Sequence, residues 1–300
     1  MDSTTQADPG EVAKPWGDAD LMLDVMAVRR VAARQFTGRD VPDERRPVVE
    51  GSQMLGQAIV AAGEVAPGRR VVSSYMNFMR VADSRLPMTF DVDEAFGGRS
   101  FSSLVVRVSQ DPRLCAVGVL LLDVTAPDLI RHAAPAPPCP PPQECEPVDM
   151  GVVGREIRVA DGAYSDDPDA PVGPPVIDAW VRYRELPAAG PAMHAGLMAQ
   201  FMGHMPIAAA LRPHGGIGQS EAHRTISTAI NSIALSIHAD VRVDQWLRYH
   251  HESTFAGDGM THAECRVYDE PGRLLASFSV DGMVRGFASP TAGGNPQTAL

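Results

Sequence analysis

Strict alternation of apolar and polar side chains recurs along this chain and predicts β-strands. A period of two places successive side chains on opposite faces of a sheet. The connections between the runs are short, which favours antiparallel meanders over helical crossovers. The predicted strands are residues 71–80, 88–95, 102–109, 115–124, 225–238, 246–253, 261–268 and 274–284.

One helical pattern precedes the strands in each half of the chain. Apolar side chains recur every three or four residues in both segments, as on one stripe of a helix. The stripes are Met54, Leu55, Ala58, Ile59 and Ala62 within residues 51–63, and Leu197, Met198, Phe201, Met205 and Ala208 within residues 194–211. A helix followed by antiparallel strands, present twice, predicts an α+β fold.

The two halves of the chain repeat one design. Residues 107–114 and 266–274 each end a strand, turn at an acidic residue and a proline, and start the next strand at Arg-Leu. The offset of 159 residues between them also places residues 72–79 over residues 231–238, which alternate similarly. Such self-similarity predicts two tandem copies of one unit.

Proline indicates where the two units are joined. The segment around residues 133–147 is too rich in proline for a central strand or a helix, so we expect a semi-rigid linker over residues 127–151. This assigns residues 21–126 to an N-terminal unit and residues 152–288 to a C-terminal unit. Residues 1–20 and 289–300 are expected to be disordered tails.

Composition and charge exclude several classes of protein. The chain has 300 residues, of which 44% are hydrophobic, and its formal net charge is −11. The hydrophobic content excludes wholesale disorder, and the acidic balance disfavours nucleic acids and anionic membranes as partners. No run approaches the roughly 18 apolar residues of a membrane helix, and no signal-peptide pattern opens the chain. We therefore expect a cytoplasmic protein.

Standard signatures of metal or nucleophilic catalysis are missing from the sequence. The four cysteines form no CxxC pair, and the histidines, eight of which lie between residues 194 and 262, have no i, i+4 ligand pair on a helix. Neither a G-x-S-x-G elbow nor a glycine-rich phosphate loop occurs. We therefore expect no metal site.

Four segments of the chain resemble hallmark segments of the acyl-CoA thioesterase II (TesB-like) family, in that family's order. They are VEGSQMLGQ at residues 49–57, GRSFS at 98–102, WLRYHHEST at 246–254 and VDGMVR at 280–285. The resemblance spans roughly residues 21 to 287. It implies a tandem, or double, hotdog, in which each half is an antiparallel sheet wrapped around a central helix.

The resemblance also implies hydrolysis of acyl-CoA to a free acid and CoA without a cofactor. N–H groups at a helix N-terminus can bind the oxyanion, and a polar side chain can orient a water. Gly51, Ser52 and Gln53 open the first helix, although a plain helix start is the alternative. Arg99 could bind a CoA phosphate or be an exposed turn arginine. An acidic protein must gather its cations locally to bind CoA; the candidates are Arg80, Arg99, Arg242 and Arg248.

The family's hydrolytic trio, an Asp, a Thr or Ser, and a Gln, maps onto the second half. Thr254 fits the second member; the Asp position falls on Ser232, beside Asn231, and the Gln position on Val280, followed by Asp281. Two of three members are thus replaced, and we predict Thr254, Ser232 and Asn231 as the catalytic residues, with weak activity. A bulge could bring Asn231 or Asp281 into the site. Glu252 or His251 could serve as a base, although only one of these neighbours can point inward.

Two other functions stay open at this point. A noncatalytic acyl-CoA-binding protein would explain Ser232 and Val280. A hotdog dehydratase would need a histidine and a carboxylate near a helix, for which the second helix offers His194 and His204. In each case, unpaired sheet edges predict a homo-oligomer.

Overall fold

The computed structural model describes residues 19–41, 47–150, 154–165, 167, 169–183, 189–222 and 224–287. The tails predicted at residues 1–20 and 289–300 lie outside these residues, except for residues 19 and 20, which begin a helix.

The described residues form one antiparallel sheet of thirteen strands around four α-helices. The helices are α1 (Ala19–Met26), α2 (Gly51–Val65), α3 (Pro191–Gln200) and α4 (Pro206–Leu211). The strands are β1 (Arg29–Ala32), β2 (Gln35–Gly38), β3 (Arg70–Phe78), β4 (Met88–Gly97), β5 (Phe101–Gln110), β6 (Arg113–Asp123), β7 (Glu146–Pro147), β8 (Arg155–Val159), β9 (Val176–Tyr183), β10 (Ile226–Ile237), β11 (Leu247–Gly257), β12 (Met260–Asp269) and β13 (Leu274–Gly286). Their order in the sheet is β1-β2-β4-β5-β6-β3-β10-β13-β12-β11-β9-β8-β7. The helices and the inner face of the sheet enclose a hydrophobic core that both halves share.

All eight strands predicted from alternation are confirmed, and the helix predicted at residues 51–63 is α2. The sequence pattern did not predict the other five strands, β1, β2, β7, β8 and β9. The residues of β1 are all exposed and four of the five in β8 are buried, so neither of these two strands alternates. The prediction of a single helix over residues 194–211 was wrong. Helix α3 ends at Gln200, a 3₁₀ turn follows, and α4 starts at Pro206. Proline cannot donate the hydrogen bond that would continue a helix through that position.

The predicted internal repeat is confirmed in the register of the sheet. The central strands β3 and β10 pair with Tyr75 opposite Ala234, two positions that differ by the repeat offset of 159. The bulges of the two halves have the same offset, which shows that the repeat extends to local irregularities of the strands. The bulged residues are Val72 in β3 and Asn231 in β10, and Ala95 in β4 and Thr254 in β11.

Helices α2 and α3 cross at Gly56 and Gly196, so closely that no side chain fits between them. A Cβ atom on Gly56 would lie 2.5 Å from the carbonyl oxygen of Gly196, and one on Gly196 would lie 2.8 Å from that of Gly56. The start of each helix meets the end of the other. These end contacts join Gly203 to Ser52 and Gly63 to Ala192.

The proline-rich segment predicted to be a linker is packed on strands β9, β11 and β12. Arg248 Nη1 donates to the carbonyl oxygen of Pro137 at 2.6 Å, and Trp180 Nε1 donates to that of Pro140 at 3.0 Å. The Arg248 side chain is 5% exposed and pairs with Asp178 at 2.8 Å. It therefore holds this segment in place and is not available to a CoA phosphate.

Asp178 should make the stability of the protein depend on acid pH. Burial alone would raise the pKa of its carboxyl group, but hydrogen bonds from His250 and Arg248 outweigh burial and lower it. A carboxylate with a lowered folded-state pKa stabilises the protein above its unfolded pKa of about 3.9, and this stabilisation is lost as pH falls through the folded-state value. Below pH 4, the unfolding free energy of wild type should fall as pH is lowered, and that of Asp178→Asn should fall less steeply. We expect the two slopes to differ by up to about 1.4 kcal/mol per pH unit. Urea titrations between pH 2 and 6 measure this slope, and equal slopes would contradict the assignment.

Candidate active site

The start of helix α2 combines backbone N–H groups that have no acceptor within the helix with the positive end of a helix dipole. Its N-cap residue, Glu50, makes no side-chain capping hydrogen bond, and its first turn contains no acidic residue. The first N–H groups of a helix have no acceptor within the helix. The first-turn amides, those of Gly51 and Ser52 among them, can therefore stabilise an oxyanion.

The surroundings of this helix start come from both halves of the chain. The ring of Phe78 occupies the space beside Gly51, since a Cβ atom there would lie 2.9 Å from it. Ser52 is 1% exposed, and its buried Oγ has no hydrogen-bond partner among the described residues. A Cβ atom on Gly203 would lie 2.8 Å from this Oγ and 3.8 Å from the side chain of Ile230. The second half thus covers the start of α2.

Glu50 and His204 form a carboxylate–imidazole pair at the same helix start. His204 Nε2 lies 3.2 Å from Glu50 Oε2, which is ion-pair distance, but the two atoms do not meet hydrogen-bond geometry; the histidine side chain is 4% exposed and the glutamate side chain 40% exposed. The imidazole stacks on the ring of Phe201, with the ring centroids 4.9 Å apart, and its Nδ1 lies 3.3 Å from the carbonyl oxygen of Phe201. The 3₁₀ turn between α3 and α4 therefore positions His204.

Sequence reasoning named His204 only for a dehydratase and did not consider Glu50 as a site residue. A signal for Glu50 existed, because it directly precedes Gly51, and acidic residues are favoured at helix N-termini.

Asn231 occupies the bulge of β10, where the sheet register shifts between Ile230 and Ser232. Its Oδ1 atom is buried and accepts no hydrogen bond from the described residues. Ile230, the preceding residue, contacts the Gly203–Ser52 region. Among the described residues, the bulge thus leaves a buried acceptor without a donor at the residue that follows Ile230.

Ser232 belongs to a second polar group on the outer face of the sheet. Its Oγ donates to Asp281 Oδ2 at 2.7 Å, and His262 Nδ1 lies 2.7 Å from Asp281 Oδ1. Burial alone would raise the pKa of Asp281, but these two hydrogen bonds outweigh burial, so the pKa is lowered. Val280 faces the other way, 1% exposed in the core. Thr254, an exposed residue in the bulge of β11, lies near the outer group, since the following residue pairs with His262.

The side chains of Gln53 and Arg99 form no hydrogen bond with the Glu50–His204 pair or the Ser232–Asp281–His262 group in the described residues. Gln53 is 5% exposed, and within the described residues the only contact its side-chain amide makes is one of 3.5 Å with the carbonyl oxygen of Arg39. Arg99 is in the exposed turn between β4 and β5, which Arg69 holds through a 2.6 Å hydrogen bond to the carbonyl oxygen of Gly98. Arg69 follows the C-terminal end of α2, and a helix of that length spans about 22 Å. Arg99 is thus at the opposite end of α2 from Gly51.

Of the two neighbours considered as bases, His251 points inward and Glu252 is exposed. His251 is 0% exposed, and burial lowers its pKa to about 3, so it is neutral at physiological pH. Its Nδ1 lies 3.3 Å from the carbonyl oxygen of Ile177, and its ring stacks on that of Tyr249. These contacts assign His251 a packing role.

Within the described residues, no group of three or more His, Cys, Asp or Glu side chains is placed to hold a metal ion. No helix in this part of the chain is long and apolar enough to cross a membrane.

Comparison with protein families gives two adjoining matches. Residues 42–122 match the acyl-CoA thioesterase N-terminal domain, and residues 131–280 match the acyl-CoA thioesterase C-terminal domain. Human acyl-coenzyme A thioesterase 8 is 26% identical over 92% of this chain and 93% of its own length. Acyl-CoA thioesterase 2 of Haemophilus influenzae is 24% identical over 79% of this chain and 87% of its own length.

Solved structures share the fold. A tesB protein of Mycobacterium avium subs paratuberculosis superposes with a TM-score of 0.73 at 22% identity, covering 89% of this chain and 98% of that one. Acyl-CoA thioesterase II TesB2 of Mycobacterium marinum gives 0.73 at 20% identity, covering 88% and 97%. The double-hotdog fold expected from the resemblance is thereby confirmed.

Proposed function

The chain belongs to the acyl-CoA thioesterase family and is a thioester hydrolase, and we propose that it cleaves acyl-CoA at the start of helix α2. The observation that carries this placement is the Glu50–His204 pair beside an uncapped helix N-terminus. Acyl-CoA is the substrate implied by the names of the relatives, and water is the second reactant.

The first-turn amides of α2 supply the electrostatic part of the proposed reaction. The thioester carbonyl oxygen becomes an oxyanion when water attacks the carbonyl carbon. The N–H groups of Gly51 and Ser52 and the positive end of the helix dipole stabilise that charge. The buried hydroxyl of Ser52 is a further donor facing the same region.

Glu50 and Asn231 act on the attacking water in this proposal. The unsatisfied Oδ1 of Asn231 accepts one hydrogen bond from the water, which orients it. The Glu50 carboxylate takes the proton as the new C–O bond forms, and the His204 imidazole lies beside this carboxylate, with Nε2 3.2 Å from Oε2. The tetrahedral intermediate then expels the CoA thiolate, which is protonated on release. Glu50 thus replaces the carboxylate that the family's Asp would supply at Ser232.

Hydrolysis can be tested with Asn231 and its neighbour as a matched pair. We expect wild type to release free thiol from at least one of a panel of short, medium, long and aryl acyl-CoAs. Asn231→Leu should lower kcat/KM about tenfold, the equivalent of one lost hydrogen bond. Ser232→Ala is the control and should stay within about twofold of wild type, because Ser232 is bound to Asp281 on the outer face.

If Ser232→Ala lowered kcat/KM more than Asn231→Leu, the proposed active site at the start of α2 would be wrong. The attacking water would then bind at the outer group of Ser232, Asp281 and His262. Tight binding of acyl-CoA with no thiol release from any chain length would instead favour the noncatalytic binding protein.

We also propose that the reaction needs no cofactor and that the enzyme works in the cytoplasm as a homo-oligomer. Hydrolysis consumes only water, so no redox or group-carrying cofactor is required. Large apolar side chains on the outer face of the sheet are exposed, Tyr75, Val119 and Leu121 among them, and a second copy could cover them. Light scattering that gives the mass of a single 32.1 kDa chain would contradict self-association.

A further inference from the structure

A cavity of about 440 Å³ opens at the start of helix α3, at the end of the molecule opposite Glu50. Its wall includes the first turn of α3, the end of α2 at Gly63, the start of β3 at Val71 and the loop after β10 at Ala239. The mechanism proposed above uses none of these residues.

This cavity is the counterpart of the active site under the internal repeat. At the active site, Gly203 at the end of the α3 segment meets Ser52 at the start of α2; at the cavity, Gly63 near the end of α2 meets Ala192 at the start of α3. Gly203 lies 140 positions after Gly63, and Ala192 lies 140 positions after Ser52. The two pairs of contacting residues are therefore related by one offset. The bulge beside the cavity is at Val72, the repeat partner of Asn231. The two sites therefore share one backbone framework.

Hydrogen-bond donors face the cavity. The helix start has Gly190 as its N-cap and no side-chain cap. His194 is 6% exposed and lines the cavity; its Nδ1 accepts a hydrogen bond from the Val243 N–H at 3.3 Å, so its proton is on Nε2. Burial lowers the pKa of His194, which keeps the ring neutral. Its Nε2–H has no acceptor among the described residues and can donate to a ligand.

Arg69 adds a cation that no carboxylate in the described chain neutralises. Its Nη2 binds two backbone carbonyl oxygens, and its buried Nη1 has no partner there. The other two arginines of the wall are paired, Arg70 with Asp123 at 2.8 Å and Arg242 with Asp244 at 2.7 Å. Asp240 is a further acidic residue of the wall. Arg99 lies in the turn that Arg69 holds, so two arginines that have no carboxylate partner among the described residues are adjacent at this end.

The groups that would activate a water have no equivalents at the cavity. Ala192 replaces Ser52, Val72 replaces Asn231, and Gly190 replaces Glu50. The wall keeps donors for a carbonyl or a phosphate but has no acceptor positioned like Asn231 and no carboxylate at the helix N-cap.

We propose that this cavity is a second binding site for CoA or its ester, which it holds without hydrolysing it. Three kinds of donor line the cavity: the backbone N–H of Ala192 in the first turn of α3, His194 Nε2–H and the Arg69 guanidinium. All three suit an acceptor-rich anionic ligand. The assignment of CoA rests on the proposed function, because the cavity repeats the framework of the thioester site.

Calorimetry with the purified full chain tests the stoichiometry. We expect two equivalents per chain for free CoA, for an S-alkyl-CoA thioether that cannot be hydrolysed, or for both. A second equivalent of free CoA would show that the site binds the product, and a second equivalent of the thioether would show that it binds the substrate. Ala239→Trp fills the cavity and should reduce two equivalents to one. Arg69→Ala should weaken the second equivalent at least tenfold, whereas the control Arg107→Ala, an exposed arginine of β5, should keep both.

The outcomes separate this inference from the proposed function. A single equivalent for both ligands, or a second equivalent unaffected by Ala239→Trp and Arg69→Ala, would overturn the second site even if the enzyme hydrolyses acyl-CoA. Conversely, two equivalents that respond to both variants support the site even if no acyl-CoA is hydrolysed. Glu50→Gln should leave the second equivalent unchanged, since the cavity lies at the other end of α2.

Discussion

Glu50→Gln should lower kcat for acyl-CoA hydrolysis by about 10²–10⁴-fold, the usual contribution of a general base. Glutamine keeps the size and hydrogen-bonding reach of Glu50 but cannot take a proton from water. KM should change little, because the amides of α2 still bind the thioester carbonyl. Thiol release at saturating acyl-CoA, with the best substrate of the panel, measures the effect.

Glu64→Gln is the matched control for this variant. Glu64 is on the same helix as the N-cap Glu50 but near its other end, 61% exposed and 3.6 Å from Arg30. The kcat of Glu64→Gln should stay within about twofold of the wild-type value, because an exposed ion pair contributes little. If Glu50→Gln retained full activity, the water would have to be deprotonated elsewhere, and the Asp281–His262 pair would be the next carboxylate to replace.

Gly56→Val should destabilise the folded protein by about 3 kcal/mol, at the upper end of the usual cost of overpacking a core. The new Cβ would lie 2.5 Å from the carbonyl oxygen of Gly196 and 2.5 Å from the terminal methyl of Met26. The methionine side chain can move, but the carbonyl belongs to helix α3 and cannot move alone. Helices α2 and α3 must therefore separate, which disturbs both helix starts. The midpoint of urea unfolding, at an unchanged m-value, measures the loss.

Gly286→Val tests whether this loss comes from the helix crossing. A Cβ atom on Gly286, at the end of β13, would have no neighbour within 4 Å. This variant should change the unfolding free energy by less than about 0.5 kcal/mol, as is usual for surface substitutions. Equal stabilities of the two variants would show that the helices do not meet at Gly56 in solution.

The sequence alone determined eight of the thirteen strands in the described residues, the first helix and the tandem repeat. Alternation depends on which face of a strand is buried, so the eight alternating strands could be identified from local pattern. The offset of 159 came from two similar turns, and the bulges at Val72 and Asn231 follow the same offset. Strands that do not alternate, such as β8, carried no such signal.

Tertiary structure decided which polar groups meet at the site. Glu50 and His204 are far apart in the sequence, and no spacing rule links them; they meet because α2 and α3 cross at two glycines and bring the end of one helix to the start of the other. The bulge likewise decided between neighbours: Asn231 has a buried acceptor with no donor among the described residues, whereas Ser232 binds Asp281. A residue's periodicity reports which face it occupies, whereas its chemistry depends on the atoms that packing brings to that face.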